Sequence, residues 1–434
     1  MTRSDPGVVD AAATRSDAPA TAMSTPAATD GTDIPDAHGR AAVDLVRCLA
    51  RPTPSGDERA DAVALARESD PKEVLAAASA LGVGPLVCTH VENGGEAFPA
   101  ALRDQTGEYR RRMMARSLHL LTALHAILDA FGASGVRALA YKGPVLATVA
   151  YGDVGGRAFS DLDLFVPRED LPAAATALAD LGFALDPEDP TRFSPADVAR
   201  GGHVVRPPAE FRFVRHDGVV VELRWRLGSR VRPFPLTFDD CWNRRVDVVV
   251  GGRSVPTFGH EDRLLVLARH GAKHHWNRLG WAVDVAALLT RVDVDWPVVE
   301  ARADALGARR VLAACVLLAA ETADAPVPPL VLARARADPR VRTVVADAVT
   351  DYDTEPLTAA FGVDGPRARI VDALLCDSRR AWLLYRLRLG FEPQEVDAET
   401  VPLPRALHRL YHVVRPLRLA SALWRPDTEG RERR

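Results

Sequence analysis

The stretch Val136–Val166, VRALAYKGPVLATVAYGDVGGRAFSDLDLFV, contains the clearest structural signals in this chain. Its apolar start predicts a strand that stops at Gly143-Pro144, because this pair favours a turn and the start of a helix. PVLATVAYG then predicts about two helical turns that close at Gly152. The segment SDLDLFV predicts a second strand, so the whole stretch is a strand, a short helix and a strand.

The second strand carries two carboxylates on one face. Because strand side chains alternate between faces, Asp161 and Asp163 lie on one side, and Leu162, Leu164 and Val166 lie on the other. Two carboxylates about 4 Å apart repel by roughly 4 kcal/mol at an effective dielectric near 20. A cation offsets this repulsion, and Mg²⁺ binds through one or two carboxylates together with substrate phosphates. The pair is therefore a candidate site for Mg²⁺ or Mn²⁺.

The order of Gly143, the short helix, Arg157 and the Asp pair resembles the nucleotidyltransferase core of DNA polymerase β-like enzymes. The segment is most similar to a large group of uncharacterised bacterial nucleotidyltransferases, whose opening has the form LKG…YG…R…DLDLLV. It is similar, more distantly, to the nucleotidyltransferase toxins of abortive-infection systems. The resemblance covers about a third of the chain, from Ala138 to Leu289. It implies an α+β fold with a small mixed nucleotidyltransferase sheet, and an NTP as co-substrate.

A predicted hairpin supplies a third acid. In EFRFVRHDGVVVELRWRL, Asp217-Gly218 is a strong two-residue turn signal between two alternating strands. Glu222 and Arg224 lie on the strand face opposite to the apolar residues. The third carboxylate of the superfamily sits on such a strand, so the resemblance implies that Glu222 completes the metal site or acts as general base. The alternative is a surface glutamate paired with Arg224 or Arg226. The related group usually has ELHW where this chain has ELRW.

The start of the short helix is the predicted phosphate site. The wider superfamily usually has Gly-Ser there, whereas this chain has Gly143-Pro144 and lacks a serine hydroxyl for the triphosphate. Lys142 is the nearest polar substitute. Gly143 and the following helix start offer backbone N–H groups to a phosphate. Arg157 is expected to contact phosphate or to pair with an aspartate.

Lysine is rare in this chain. Of 55 basic residues, three are lysines: Lys72, Lys142 and Lys273. Two of them lie in the region of resemblance, which favours a functional role, and chance placement is the competing explanation. The toxin group carries a lysine on a comparable helix, which implies that Lys273 could hold a triphosphate or the charge that develops on it.

A histidine pair follows in HEDRLLVLARHGAKHHWNRLGWAVDVAALL, which predicts two helices. The segment resembles the H-x-x-x-H-x-W and W-x-x-D pattern of the related group in His270, His274, Trp276, Trp281 and Asp284. The i, i+4 spacing of the histidines suits a zinc pair, although HExxH is not present. Three interpretations stay open: a zinc site completed by Asp284 or a distant acid, contacts with the nucleotide phosphate or base, and plain helix packing.

Five regions are expected along the chain. They are a disordered tail (1–38), an N-terminal helical region (39–134), a nucleotidyltransferase core (135–291), a C-terminal helical region (292–425) and a frayed tail (426–434). The first tail is rich in small and polar residues, which bury too little apolar surface to offset the entropy of ordering. The predicted fold is therefore α+β, with a small mixed sheet flanked by helical regions.

Composition restricts the partners. The net charge of −3 gives no global basic field, which argues against a nucleic-acid partner without excluding it. Five scattered cysteines without CxxC predict reduced thiols in a cytoplasmic protein. No run of 18 apolar residues and no signal peptide are found, so no membrane partner is expected.

The predicted function is metal-dependent transfer of a nucleotidyl group from an NTP to an acceptor, a small molecule or peptide in a biosynthetic pathway. Asp161, Asp163 and Glu222 are the predicted catalytic and metal-binding residues. The predicted nucleotide contacts are Lys142, Gly143, Arg157, Lys273 and His270. Two alternatives are a catalytically inactive nucleotide- or substrate-binding relic, which the missing serine favours, and a toxin-like tRNA nucleotidyltransferase. The sequence leaves the acceptor, the choice of NTP and the oligomeric state open.

Overall fold

The strand that carries the two aspartates lies second in a five-stranded mixed sheet. The computed structural model describes residues 37–187, 194–200, 208–228, 233–354, 366–393 and 395–424. The strands of the sheet are β1 (Leu139–Ala140), β2 (Asp161–Phe165), β3 (Phe183–Leu185), β4 (Glu210–Arg215) and β5 (Val220–Arg224). Their order is β1-β2-β5-β4-β3, with β2 and β5 parallel and the other neighbours antiparallel. The predicted α+β class with a small mixed sheet is confirmed.

Alternation along β2 and β5 gives the sheet two different faces. Leu162 and Leu164 on β2 and Val221 and Leu223 on β5 are buried in one core cluster. Phe165 belongs to a second core cluster on the other side of the sheet. Because side chains alternate, the carboxylates of both strands lie on the side where Phe165 packs.

Two hairpins complete the strands. The predicted Asp217-Gly218 turn joins β4 to β5, with Gly218 at φ +80°, a conformation that favours glycine. The second hairpin joins β6 (Val246–Val250) to β7 (Arg253–Thr257) and forms its own two-stranded sheet.

The segment between β1 and β2 is a helix that changes its pitch. Helix α6 spans Gly143–Leu146 and continues as a π-helix over Ala147–Tyr151, which Gly152 ends in the left-handed conformation. Gly143 has φ +51°, and a Cβ at this position would lie 3.1 Å from the carbonyl oxygen of Asp161. Both the backbone conformation and the close packing therefore require glycine here.

Helices precede and surround the sheet. The N-terminal helices are α1 (Ala37–Leu49), α2 (Gly56–Ala66), α3 (Pro71–Ala80), α4 (Gly84–Gly94) and α5 (Ala100–Ala133). Three further helices, α7 (Leu171–Asp180), α8 (Pro195–Ala199) and α9 (Phe238–Asn243), lie between the strands in sequence. Ser55 caps α2 through a capping box and Asp70 caps α3, because their side chains accept the first free backbone N–H groups.

Two helices pack on the acidic side of the sheet. They are α10 (His260–Lys273) and α11 (Leu279–Arg291), whose apolar residues share a core cluster with Phe165. The remaining helices are α12 (Trp296–Ala305), α13 (Arg309–Ala323), α14 (Pro329–Ala337), α15 (Pro339–Thr354), α16 (Pro366–Leu374), α17 (Arg379–Phe391), α18 (Glu395–Thr400) and α19 (Tyr411–Trp424). Short 3₁₀-helices span Gly95–Ala97, Arg168–Asp170 and Arg405–Leu410. Apart from the first two residues of α1, the predicted tails lie outside the described residues.

The helices carry no membrane signal in the part of the chain that is described. None of them there combines the length and the apolar character that a membrane crossing requires. All five cysteines are free thiols, as their scattered spacing predicts. The cytoplasmic location stays a prediction.

Candidate active site

Asp163 lies at the centre of a cationic cluster. The Nζ of Lys142 and the hydroxyl of Tyr141 each donate a hydrogen bond to Oδ1 of Asp163 at 3.2 Å. The Nε of Arg224 lies 3.6 Å from the same oxygen. Burial acts to raise the pKa of the Asp163 carboxyl, but Lys142 and Arg224 outweigh burial and hold the pKa below its usual value. Asp163 is therefore a charged carboxylate in a buried position.

Asp161 has a different environment, two residues earlier on the same face. Burial, Asp163 and Glu222 raise the pKa of Asp161 to about 6. Within the described ranges, the Asp161 carboxyl takes part in no ion pair. The hydrogen bonds that Tyr141 and Lys142 donate to Asp163 both end on Oδ1, and no hydrogen bond to Oδ2 is found among the described residues. Because neighbouring cations neutralise the negative charges of Asp161 and Asp163 only in part, the pair favours a bound cation.

Glu222 lies on β5 directly beside Asp163. The two residues are register partners in the parallel β2–β5 pair, where the third acid was expected. The Glu222 carboxylate pairs with Nη2 of Arg224, and Nη1 of Arg224 pairs with Glu210 on β4. Both sequence-based expectations are thus met in part, because Glu222 adjoins the Asp pair and is also an arginine-paired glutamate. Its catalytic role stays a prediction.

Helix α10 brings a lysine and a histidine to these acids. The Nζ of Lys142 donates a hydrogen bond to Nδ1 of His270 at 3.3 Å. Burial and then the charge of Lys142 hold the pKa of His270 well below its usual value, so the ring is neutral and accepts this bond. Burial also lowers the pKa of Lys273, while Glu210 and Glu222 act in the opposite direction. Lys273 therefore lies within electrostatic reach of Glu210 and Glu222.

The second histidine packs against aromatic rings. The ring centroids of His270 and His274 are 5.0 Å apart, and Trp281 lies 5.4 Å from the first ring and 5.0 Å from the second. Burial, followed by Lys273 and Lys142, lowers the pKa of His274 to about 3. Both histidines are therefore neutral. Their ring packing matches the interpretation of plain helix packing.

Arg157 forms an ion pair with Asp284. Its Nε lies 2.8 and 2.9 Å from the two carboxylate oxygens, and the hydroxyl of Tyr151 donates a hydrogen bond to Asp284 at 2.7 Å. This contact is the aspartate pairing expected as one of two roles for Arg157. The contact also brings Tyr151, Arg157 and Asp284 together in one cluster. These residues belong to the YG, R and W-x-x-D parts of the family pattern, which are separate in sequence. A contact between Arg157 and phosphate stays a prediction.

Gly143 follows Lys142 and starts helix α6 beside the acidic face. It is buried, and the N–H groups of Val145 and Leu146 bond to the carbonyl of Lys142 at 3.2 and 3.4 Å. The helix start lies close to the backbone carbonyl of Asp161. Contacts between this start and a phosphate stay a prediction.

The donor set fits Mg²⁺ through two carboxylates. The described residues hold no group of three or more His, Cys, Asp or Glu side chains arranged for a metal ion. A structural zinc site needs four such ligands, so the described residues do not support the zinc interpretation. Mg²⁺ needs only one or two carboxylates, with water and phosphate as the other ligands. Asp161 and Oδ2 of Asp163 meet this requirement, whereas Glu222 is engaged by Arg224.

Sequence reasoning missed three parts of the site. Tyr141, Glu210 and the central position of Arg224 were not predicted as site features. Glu210 is the register partner of Arg224 in the β4–β5 hairpin. Because the Asp217-Gly218 turn fixes the register of the two strands, counting back from this turn could have identified the pair. Tyr141 offers no comparable signal, because it reads as part of an apolar strand.

The class of protein is given by comparison with known families. A family model described as uncharacterised nucleotidyltransferase matches residues 67–324, well over half of the 434 residues. The chain belongs to this family, as predicted, and is accordingly assigned as a transferase enzyme. No curated protein and no solved structure matches the chain. The more distant resemblance to polymerase β-like enzymes and to toxins stays a prediction.

Proposed function

We propose that this protein transfers a nucleotidyl group from an NTP to an acceptor in a Mg²⁺- or Mn²⁺-dependent reaction at Asp161 and Asp163. The observation that carries this proposal is the carboxylate pair on one strand of a chain of the nucleotidyltransferase family. The pKa of one member, Asp161, is raised to about 6. Lys142 contacts Asp163, and Lys273 lies within electrostatic reach of Glu210 and Glu222, so both lysines suit a triphosphate at this face. The acceptor is a small molecule or peptide, because a net charge of −3 offers no field for nucleic acid.

Each residue has a separate part in this reaction. Asp161 and Asp163 would hold the metal ion, which supplies charge neutralisation on the reacting phosphate. Lys142 reaches the phosphates from the end of β1, and neutral His270 orients its ammonium through Nδ1. The acceptor oxygen forms a bond to the α-phosphorus while the bond to the bridging oxygen breaks, and pyrophosphate leaves. Glu222 is the proposed acceptor of the hydroxyl proton.

Replacing Lys142 with alanine is expected to weaken NTP binding by roughly 1.5–3 kcal/mol, the contribution of a charged hydrogen bond. This corresponds to about a 10- to 150-fold rise in Kd. Calorimetric titration with NTP and Mg²⁺ measures the change, after circular dichroism has shown that the variant is folded. Lys72→Ala on α3 is the matched control and should bind as the unmodified protein does. Equal binding by the two variants would show that Lys142 has no role at phosphate.

A screen against three acceptor classes tests the proposal. Purified protein is incubated with α-labelled NTPs and Mg²⁺ together with small molecules, tRNA or cell extract, and labelled products are separated. We expect label on a small molecule or peptide. Label on tRNA favours the toxin-like alternative instead. NTP binding without transfer to any class favours a binding protein, which the pairing of Glu222 with Arg224 would explain.

A further inference from the structure

Arg224 is surrounded by carboxylates in three directions. Its Nε lies 3.6 Å from Oδ1 of Asp163, its Nη1 pairs with Glu210, and its Nη2 pairs with Glu222. The three nitrogens of one guanidinium thus face acids from three different strands. A planar delocalised cation with several donors suits such an arrangement.

The sheet holds this guanidinium in place. Arg224 is the register partner of Phe165 on β2 and of Glu210 on β4, so both neighbouring strands fix its backbone. Its side chain is 12% exposed. A guanidinium keeps its proton in proteins at any ordinary pH. The charge is therefore permanent.

The charges of the site balance to within one unit. The four acids are Asp161, Asp163, Glu210 and Glu222. Four cations act on them, namely Lys142, Arg157, Arg224 and Lys273, and Arg157 is itself paired with Asp284, which leaves three cations for the four acids. In a site with two metal ions about 4 Å apart, several carboxylates are needed to hold the pair. Here Glu210, Glu222 and Oδ1 of Asp163 already face Arg224, which leaves Asp161 and Oδ2 of Asp163 for a metal ion.

We propose that Arg224 is a built-in cation that takes the place of a second divalent ion, so that the site binds one Mg²⁺ or Mn²⁺ together with the NTP. This inference rests on the proposed function, because it concerns the same site. Arg224 acts as a positioning residue: it neutralises Glu222 and Glu210 and orients Oδ2 of Asp163 towards the remaining ion. Removing its charge frees these acids to hold another divalent ion.

Electron paramagnetic resonance of Mn²⁺ tests this stoichiometry without turnover. The probe is Mn²⁺ with non-hydrolysable α,β-methylene analogues of the NTPs. The unmodified protein should bind one Mn²⁺ per chain and give a mononuclear signal, whereas Arg224→Gln should bind two and give a spin-coupled signal. Arg215→Gln is the matched control, because Arg215 lies in the same hairpin and pairs with Asp217; it should keep one ion.

The outcomes separate the inference from the proposed function. A spin-coupled pair in the unmodified protein, or one ion in Arg224→Gln, overturns the inference and leaves nucleotidyl transfer standing. No Mn²⁺ binding by the unmodified protein with any analogue overturns the metal-dependent function itself. If Arg224→Gln is unstable, its melting temperature should rise with Mn²⁺ more steeply than that of the control. A variant that millimolar Mn²⁺ fails to stabilise also contradicts the proposal.

Discussion

Replacing Asp161 and Asp163 together with asparagine is expected to lower the rate of nucleotidyl transfer by about 1,000-fold. The change keeps the size of both side chains and removes both negative charges beside the proposed metal site. Metal ions contribute several kcal/mol to transition-state stabilisation, and each 1.36 kcal/mol corresponds to a factor of ten in rate. The rate of pyrophosphate release with a labelled acceptor measures this loss.

Metal-dependent NTP binding gives an independent measure of the same change. Calorimetry with NTP and Mn²⁺ should show binding that depends on the metal in the unmodified protein and is lost in the double variant. Asp217→Asn is the matched control, because Asp217 lies in the turn of the β4–β5 hairpin, paired with Arg215. Unchanged Mn²⁺-dependent binding in the double variant would rule out the Asp pair as the metal site.

Asp284→Ala is expected to lower the free energy of unfolding by about 3–5 kcal/mol, the usual cost of removing one partner from a buried ion pair. The side chains of Arg157 and Asp284 are 14% and 4% exposed. Without Asp284, the guanidinium of Arg157 and the hydroxyl of Tyr151 both lose their buried acceptor. Urea denaturation followed by circular dichroism measures the change.

An exposed ion pair supplies the comparison for this variant. Glu300 pairs with Arg334, and their side chains are 34% and 57% exposed. Exposed pairs contribute about 0–1 kcal/mol, so Glu300→Ala should change the free energy of unfolding by no more than this. If Asp284→Ala proves as stable as Glu300→Ala, the Arg157–Asp284 pair does not hold the motif segments together.

Local patterns predicted most of the sheet. The alternation in SDLDLFV placed Leu162 and Leu164 in a core and the carboxylates on the other face, and the Asp217-Gly218 turn gave the β4–β5 hairpin. These features depend on neighbours in sequence, where side-chain period and turn chemistry act directly. The parallel pairing of Asp163 with Glu222 was also within reach, because the resemblance placed a third acid on such a strand.

Contacts between distant segments were harder to predict. Alternation shows which face of β5 Arg224 occupies, but not that acids from two neighbouring strands converge on its guanidinium. Arg157 had two possible partners, and only the packing of α11 against the helix that ends at Tyr151 decides for Asp284. Such choices depend on the three-dimensional arrangement of elements, which no sequence window contains.

The rarity of lysine directed attention to two positions that the structure places near the acidic residues. Lys142 contacts Asp163 and His270, and Lys273 lies on α10 near Glu210 and Glu222. In an arginine-rich chain, two of the three lysines therefore come together at the acidic face. A lysine ammonium is a compact point charge, which suits a phosphate site too narrow for the arginine fork. Their contact with phosphate stays a prediction.

Nucleotidyl transfer differs from other NTP-dependent reactions in the bond that breaks. The protein is incubated with Mg²⁺, cell extract and NTP labelled at either the α- or the γ-phosphate, and the label on the acceptor is counted. We expect α-label on the acceptor and γ-label in pyrophosphate, with both signals lost in the Asp161→Asn, Asp163→Asn variant. Transfer of γ-label to the acceptor, or α-label transfer that persists in this variant, would contradict nucleotidyl transfer at the Asp pair.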